Sequence, residues 1–115
     1  MEFSQVQLES MSDFELNVVA ANHFYDYVCI TTSPSRLGVD VRVDDVCVDD
    51  SYNPCDRWAD CGDLIDELIN GTPNDIELDD TILRFFVPDD EICIKHGNVK
   101  RAVTIAYILV KQSQK

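Results

Sequence analysis

Thiols, imidazoles and carboxylates are the groups in this chain that could do chemistry, and their spacing limits what that chemistry is. Five cysteines, Cys29, Cys47, Cys55, Cys61 and Cys93, stand with two histidines, His23 and His96. A zinc site would recruit Cys47, Cys55, Cys61, Cys93 and His96, but seven residues separate the first two and five the next two. Zinc knuckles keep paired cysteines only about two to four residues apart. Calcium could use the carboxylates of Asp44, Asp45, Asp49, Asp50 and Asp56, since hard cations take clustered oxygens. That segment lacks the glycine and the glutamate that an EF-hand loop places at fixed positions. No metal is expected. A Cys–His nucleophile needs a base beside the thiol, yet His23 ends a helical stretch and His96 precedes a glycine turn, both ordinary surface places. There is no G-x-S-x-G, no H-E-x-x-H and no phosphate-cradling glycine loop, and 4 glycines leave little material for a substrate-clasping loop. The chain is expected to be no enzyme and to need no cofactor.

An odd number of cysteines leaves one over in any disulfide scheme, and in a reducing cytoplasm all are expected to remain thiols. Cys29 and Cys93 sit in the apolar runs Tyr27-Val28-Cys29-Ile30 and Ile92-Cys93-Ile94 and read as small core residues. Cys55 and Cys61 bracket a helix start, which favours thiolates, but the neighbouring aspartates oppose another negative charge.

The carboxylates dominate everything else. The chain has 22 acids against 9 bases, a net charge of −13 on 115 residues. Acids come as adjacent pairs, Asp44-Asp45, Asp49-Asp50, Asp79-Asp80 and Asp89-Asp90, where a chain turns or meets water. From Val39 to Ile94 there are 17 acids and only Arg42, Arg57 and Arg84 to oppose them. Nucleic acid is repelled by such a surface, because phosphate contact needs positive potential over a footprint. Lys95, Lys100, Arg101, Lys111 and Lys115 gather near the C-terminus and soften one end. A basic partner is attracted instead.

Hydrophobic residues at 45% are too many for a disordered acidic tail. The length suits one domain over 1–115 that buries about two-thirds of its unfolded surface, with residues 1–11 flexible or loosely docked. No run approaches the roughly 20 apolar residues of a membrane helix. The opening Met1-Glu2-Phe3-Ser4 has no basic start or apolar block, so no signal peptide is expected and the cytoplasm is the expected home.

The elements that must position these side chains follow from local pattern. Ser12-Asp13-Phe14-Glu15 is a capping box opening a helix over about 12–23, with Phe14, Val18, Ala21 and Leu16 as its inner stripe. Residues 25–32 are aromatic and β-branched and read as a strand, broken by Ser33-Pro34-Ser35-Arg36. Val39-Asp40-Val41-Arg42-Val43-Asp44 alternates as a half-buried strand; it pairs with the preceding strand, and Val46-Cys47-Val48 continues it past a bulge at Asp44-Asp45. Asn53-Pro54, or Asp56, starts a helix that stops at Asn70-Gly71. Its inner side takes Trp58, Cys61, Gly62, Ile65, Leu68 and Ile69; Asp60, Asp63, Asp66 and Glu67 form an outer acidic ridge. Strands follow at 75–78, 81–87 and 91–95. A last helix over about 99–112 is apolar nearly all round and should be buried across the sheet. The order α-β-β-α-β-β-α predicts an α+β sandwich, one antiparallel sheet of about four strands covered by three helices.

Ser12-Asp13-Phe14-Glu15-Leu16-Asn17, then Tyr52-Asn53-Pro54 with Trp58, then Arg101-Ala102 opening an apolar helix stand in a familiar order. Together they resemble the NinX family of temperate-phage proteins and the related phage ABA-sandwich domains. The middle departs, with Arg57-Trp58-Ala59-Asp60-Cys61 in place of an Ala-Trp-Pro stretch. The resemblance implies a phage accessory protein with a helix–sheet–helix fold and brings no catalytic residues. On physical grounds Trp58 is expected to anchor the core, Asn53 to cap a helix, and Arg101 to pair with Asp13, Glu15 or an acid of the 49–56 loop.

Two functions are expected from these features. The first is an inhibitor that occupies a basic groove on a host defence complex of CRISPR or restriction type, its carboxylates standing in for phosphates. Its partner-binding face would be Asp44, Asp45, Asp49, Asp50, Asp56, Asp60, Asp63 and Glu67. The second is a regulatory or assembly accessory that binds protein through an apolar patch, a homodimer included, with acidity serving only solubility.

Overall fold

Two serines start the first two helices by the same device. Ser4 Oγ accepts from Gln7 N–H (3.1 Å) while Gln7 Oε1 accepts from Ser4 N–H (2.8 Å). Ser12 Oγ accepts from Glu15 N–H (3.2 Å) and Glu15 Oε1 accepts in return (3.3 Å). Each box satisfies two backbone donors that a helix start leaves over. The computed structural model describes residues 3–24, 28–31, 39–43, 46–71, 77–78, 81–87 and 90–113, with backbone alone at 28–31, 39–43, 46–51, 69–71, 86–87 and 90. The elements are α1 (Gln5–Ser10), α2 (Asp13–Phe24), β1 (Val28–Thr31), β2 (Val39–Val43), β3 (Val46–Tyr52), α3 (Trp58–Gly71), β4 (Glu77–Leu78), β5 (Ile82–Val87), β6 (Asp90–Lys95) and α4 (Val99–Ser113).

The protein is α+β, but its described strands form two three-stranded antiparallel sheets, β1-β2-β3 and β4-β5-β6, rather than one sheet of about four. Helices number four among the described residues, not three. In the first sheet Val46 pairs antiparallel with Val43, so β3 is β2's partner rather than its continuation. Asp44 and Asp45 lie outside the described residues. The run Val46–Tyr52 is long enough to pair along β2 as far as Val39, with irregular register at Val41; that pairing is what the alternation of β2 alone could not reveal.

Central to the packing is α4, which meets α1, α2, α3, β5 and β6. Residues Ala102 to Ile108 are all buried, as is Val110. A helix apolar on every side cannot be an outer layer, because half of it would face water. The contacts therefore run from the first sheet to α2, from α2 to α4, and from α4 to the second sheet. Phe24 links the layers, with its ring 6.3 Å from that of Tyr52 on β3 and 6.3 Å from that of Tyr107 on α4.

From Phe3 onward the chain is held against α4. Leu8 is fully buried, and Gln112 on α4 is a buried amide that binds both backbone groups of Phe3: its Oε1 accepts from N–H (2.8 Å) and its Nε2 donates to the carbonyl (2.9 Å). In β6, Ile94 is buried and Ile92 half-buried, so the intervening Cys93 points out. Successive strand residues face opposite ways, and Cys93 is exposed rather than the core residue that its apolar neighbours suggested. Arg84 lies opposite Cys93 and pairs with Glu77 and Glu91 on the two flanking strands.

Candidate functional site

The helix α3 starts at Trp58, after a turn at 54–56. Cys61, Leu64 and Leu68 face the core, Ile65 is half-buried, and Trp58 is 58% exposed. Trp58 is therefore no core anchor. Leu64, absent from the expected stripe, takes the inward position between Cys61 and Leu68 at helical spacing. The ammonium of Lys100 lies 4.6 Å from the centre of the Trp58 ring, a cation–π contact that keeps one ring face covered.

Around Trp58 the acids divide. Asp56, Asp63, Asp66 and Glu67 are exposed. Glu67 Oε2 accepts from Lys111 Nζ at 3.2 Å, while Asp56, Asp63 and Asp66 have no ion pair among the described residues. Asp60 does not join them. It is only 8% exposed, accepts from the backbone N–H of Asn53 at 2.9 Å and lies 3.9 Å from Arg57 Nη1. Asp49 and Asp50 fall in β3, with side chains outside the described residues, as are Asp44 and Asp45 entirely. Of the expected face, Asp63 and Glu67 share the exposed side of α3, which adds Asp66, and Asp56 is exposed in the turn before it.

Beneath this surface lies a buried polar network. Asn17 of α2, fully buried, donates from Nδ2 to Asn53 Oδ1 (2.8 Å) and accepts at Oδ1 from Cys55 N–H (3.2 Å). The Asn53 carbonyl accepts from Asp56 N–H (3.2 Å) and Arg57 N–H (2.8 Å). Asn53 is thus an internal tie rather than a side-chain cap. Residues 53–57 carry backbone groups that neither helix nor sheet satisfies, and this network supplies their partners. Arg101 makes a second tie: Nη1 bonds Asp13 Oδ1 (2.6 Å), and Nη2 bonds the carbonyls of Glu9 (3.0 Å) and Met11 (2.5 Å). The pairing with Asp13 is one of those the sequence led us to expect. Asn17, Asn53, Trp58 and Arg101, which carry the short motifs, are joined here through α2, the 53–57 segment and α4.

Both thiols of this region are inert. Burial, the largest cause, pushes Cys55 up to about 12 and Cys61 up to about 11 from an ordinary 9.0, the Thr104 hydroxyl partly opposing it at Cys55 and Lys100 at Cys61. A folded state that holds its thiols protonated loses stability when the unfolded state ionises. Stability is therefore intact below pH 9 and falls as pH rises through about 11 and 12. Urea midpoints should be flat up to pH 8.5 and show a loss of about 2–3 kcal/mol by pH 10, at about 1.4 kcal/mol per thiol per pH unit. Cys61→Ala should flatten the pH slope by about half; an unchanged slope would show that this thiol ionises freely in the fold.

Among the described residues no three His, Cys, Asp or Glu side chains converge as a metal site, and no helix is long and apolar enough to cross a membrane. Comparison with known proteins finds no matching family model, curated protein or solved structure.

Proposed function

We propose that this chain is a small phage-encoded accessory protein that binds a basic surface on a host protein, a nucleic-acid-handling defence complex of CRISPR or restriction type, by presenting carboxylates in place of phosphates. What carries the reading is the exposed side of α3, where Asp63 and Asp66, one turn apart, lie unpaired among the described residues on the same helix as exposed Trp58. Carboxylates three residues apart on a helix are neighbours, with Cβ atoms about 5–6 Å apart. Held on a rigid element, they cost little ordering entropy on binding and steer a cationic partner by their field. The buried Asn17–Asn53–Asp60 network supports this by fixing the segment from which Asp56 and the start of α3 project. The partner would be a protein rather than nucleic acid, and its lysines or arginines would meet α3.

The apolar-patch reading keeps one specific observation in its favour, Trp58 itself, since tryptophan dominates many binding surfaces. The two readings differ in salt dependence. Capture of partners from a bacterial lysate should be strong at low salt and fall steeply by about 0.5 M, where the Debye length is only a few Å. The double variant Asp63→Lys, Asp66→Lys should lose capture, while its unfolding free energy changes by no more than about 0.5 kcal/mol, both sites being exposed. Asp60 is left intact in this test because its loss would damage the fold. Undiminished binding by the double variant, with loss on Trp58→Ala and no salt effect, would transfer the function to the apolar reading.

A further inference from the structure

A cavity of about 750 Å3 opens between α1, the end of β6 and the first turns of α4, and no residue of α3 lines it. Its size lies in the range of small-molecule sites, which run to about 300–1,000 Å3. Ile94, Ala102 and Ile105 give it an apolar side. Its polar groups differ in how they are engaged. Gln5 Nε2 is committed to Glu9 Oε1 (3.1 Å) and to the Cys93 carbonyl (2.9 Å). Asn98 Oδ1 accepts from Arg101 N–H (3.3 Å), and the Arg101 guanidinium is held by Asp13, Glu9 and Met11.

The groups left over are donors. Lys95 has no ion pair among the described residues, and the N–H groups of Gly97 and Asn98, which also line the cavity, have no partner among them either. His96, in the cavity wall, is the odd member: both of its ring nitrogens are buried and neither has a hydrogen-bond partner. Orphaned polar atoms of this kind are rare and costly. An imidazole in any protonation state carries at least one N–H, so His96 adds one more donor to the set. In a chain of net charge −13, a cavity walled by Lys95, His96 and Arg101 against Glu9 alone stands apart.

We infer that this cavity binds a small organic anion, a phosphate or carboxylate group attached to an apolar or aromatic body. The anionic group lies at Lys95, His96 and the first turn of α4, where the helix end adds positive potential. The body rests on Ile94, Ala102 and Ile105. As the cavity stands, solvent does not reach the His96 nitrogens, so binding turns the ring, and the hydrogen bond it then donates offsets the turn. This site is independent of the acidic surface of α3, and each stands if the other fails.

The test uses the whole chain with phenyl phosphate, benzoate, inorganic phosphate and, as a neutral control, benzyl alcohol. Binding is read from the His96 side-chain NMR signals, assigned with a His96→Gln variant, and from alkylation of Cys93, an exposed thiol in the cavity wall, mapped by mass spectrometry. Phenyl phosphate or benzoate should shift the His96 signals and slow Cys93 alkylation several-fold; which of the two binds tighter assigns the headgroup. Lys95→Glu should weaken binding about tenfold, the loss of one charge-assisted contact worth about 1.4 kcal/mol. A Cβ added at Gly97 meets nothing within 4 Å, so Gly97→Phe should fold normally and block the opening. No shift with any anion at about 10 mM, weaker than a millimolar site would allow, overturns the proposal. So does equal binding of benzyl alcohol and benzoate, or undiminished binding by a folded Gly97→Phe.

Discussion

Replacing Asn17 with alanine should lower the unfolding free energy by about 3–5 kcal/mol, the sum of two stranded polar groups at about 1–3 kcal/mol each and the lost packing. The groups are Asn53 Oδ1 and the N–H of Cys55, which Asn17 serves at 2.8 and 3.2 Å. Asn17 and Cys55 are fully buried and Asn53 is 7% exposed, so water does not take over these bonds without opening the structure. The measurement is the urea midpoint at unchanged m-value. A cycle with Asn53→Ala separates the network from mere bulk. Once Asn17 is gone, the second substitution removes an already orphaned acceptor, so the pair should cost less than the two singles together by at least about 1 kcal/mol. Strict additivity would mean that the 2.8 Å contact contributes nothing of its own. A loss this large would also release the 53–57 segment, so partner capture through α3 should fall with it.

Arg101→Ala should cost about 3–4 kcal/mol and free α1 from the body of the protein. The guanidinium bonds the carbonyls of Glu9 and Met11 where the chain leaves α1 and enters α2. Bonds from a charged donor contribute about 1.5–3 kcal/mol each when partly buried. The ion pair with Asp13 adds less, since the Asp13 side chain is 42% exposed and screened. Arg101→Lys should not rescue the loss, because one ammonium cannot span two carbonyls and a carboxylate as a planar fork does. Hydrogen exchange at Leu8 and Met11 should quicken in Arg101→Ala while exchange in β5 does not. Full protection at Leu8 would show that Gln112 and the burial of Leu8 hold α1 without Arg101.

How far the sequence carried depends on whether a signal was local. The Ser12 capping box, the start of α4 after Asn98 and the strand at 82–87 are written in adjacent residues, and the structure has them where the pattern put them. The Ser4 box uses the same chemistry with Gln7 in the glutamate's place, and its signal is equally local. The capping box needs only a hydroxyl and a long side-chain carbonyl three residues on. A cation on a buried helix needs an acid, which left Asp13, Glu15 and the 49–56 loop open for Arg101; the fold selects Asp13.

Other positions had no local signal. Two overlapping stripes on α3 are open to burial, one through Trp58, Cys61 and Ile65 and one through Cys61, Leu64 and Leu68. Packing against α4 selects the second, with Trp58 outside and Asp60 turned inward to the N–H of Asn53. An aspartate pointing into the core looks the same in sequence as one pointing to water. Cys93 shows the converse: its place between two isoleucines is a local period-2 signal that points the thiol outward, although the run around it is apolar.

From the order of residues alone came the α+β class, the antiparallel pairing of neighbouring strands, the excess of negative charge and the demand that the final helix be surrounded. These depend on propensity, period and composition, which act over a few residues or over the whole chain at once. The tertiary structure alone decided that the six described strands divide into two sheets with α4 between α2 and the second of them, that Trp58 is exposed while Asp60 is not, and that His96 lies orphaned against a cavity. Each of those outcomes is settled by which distant segment fills the space beside a side chain, a quantity that no window along the chain contains.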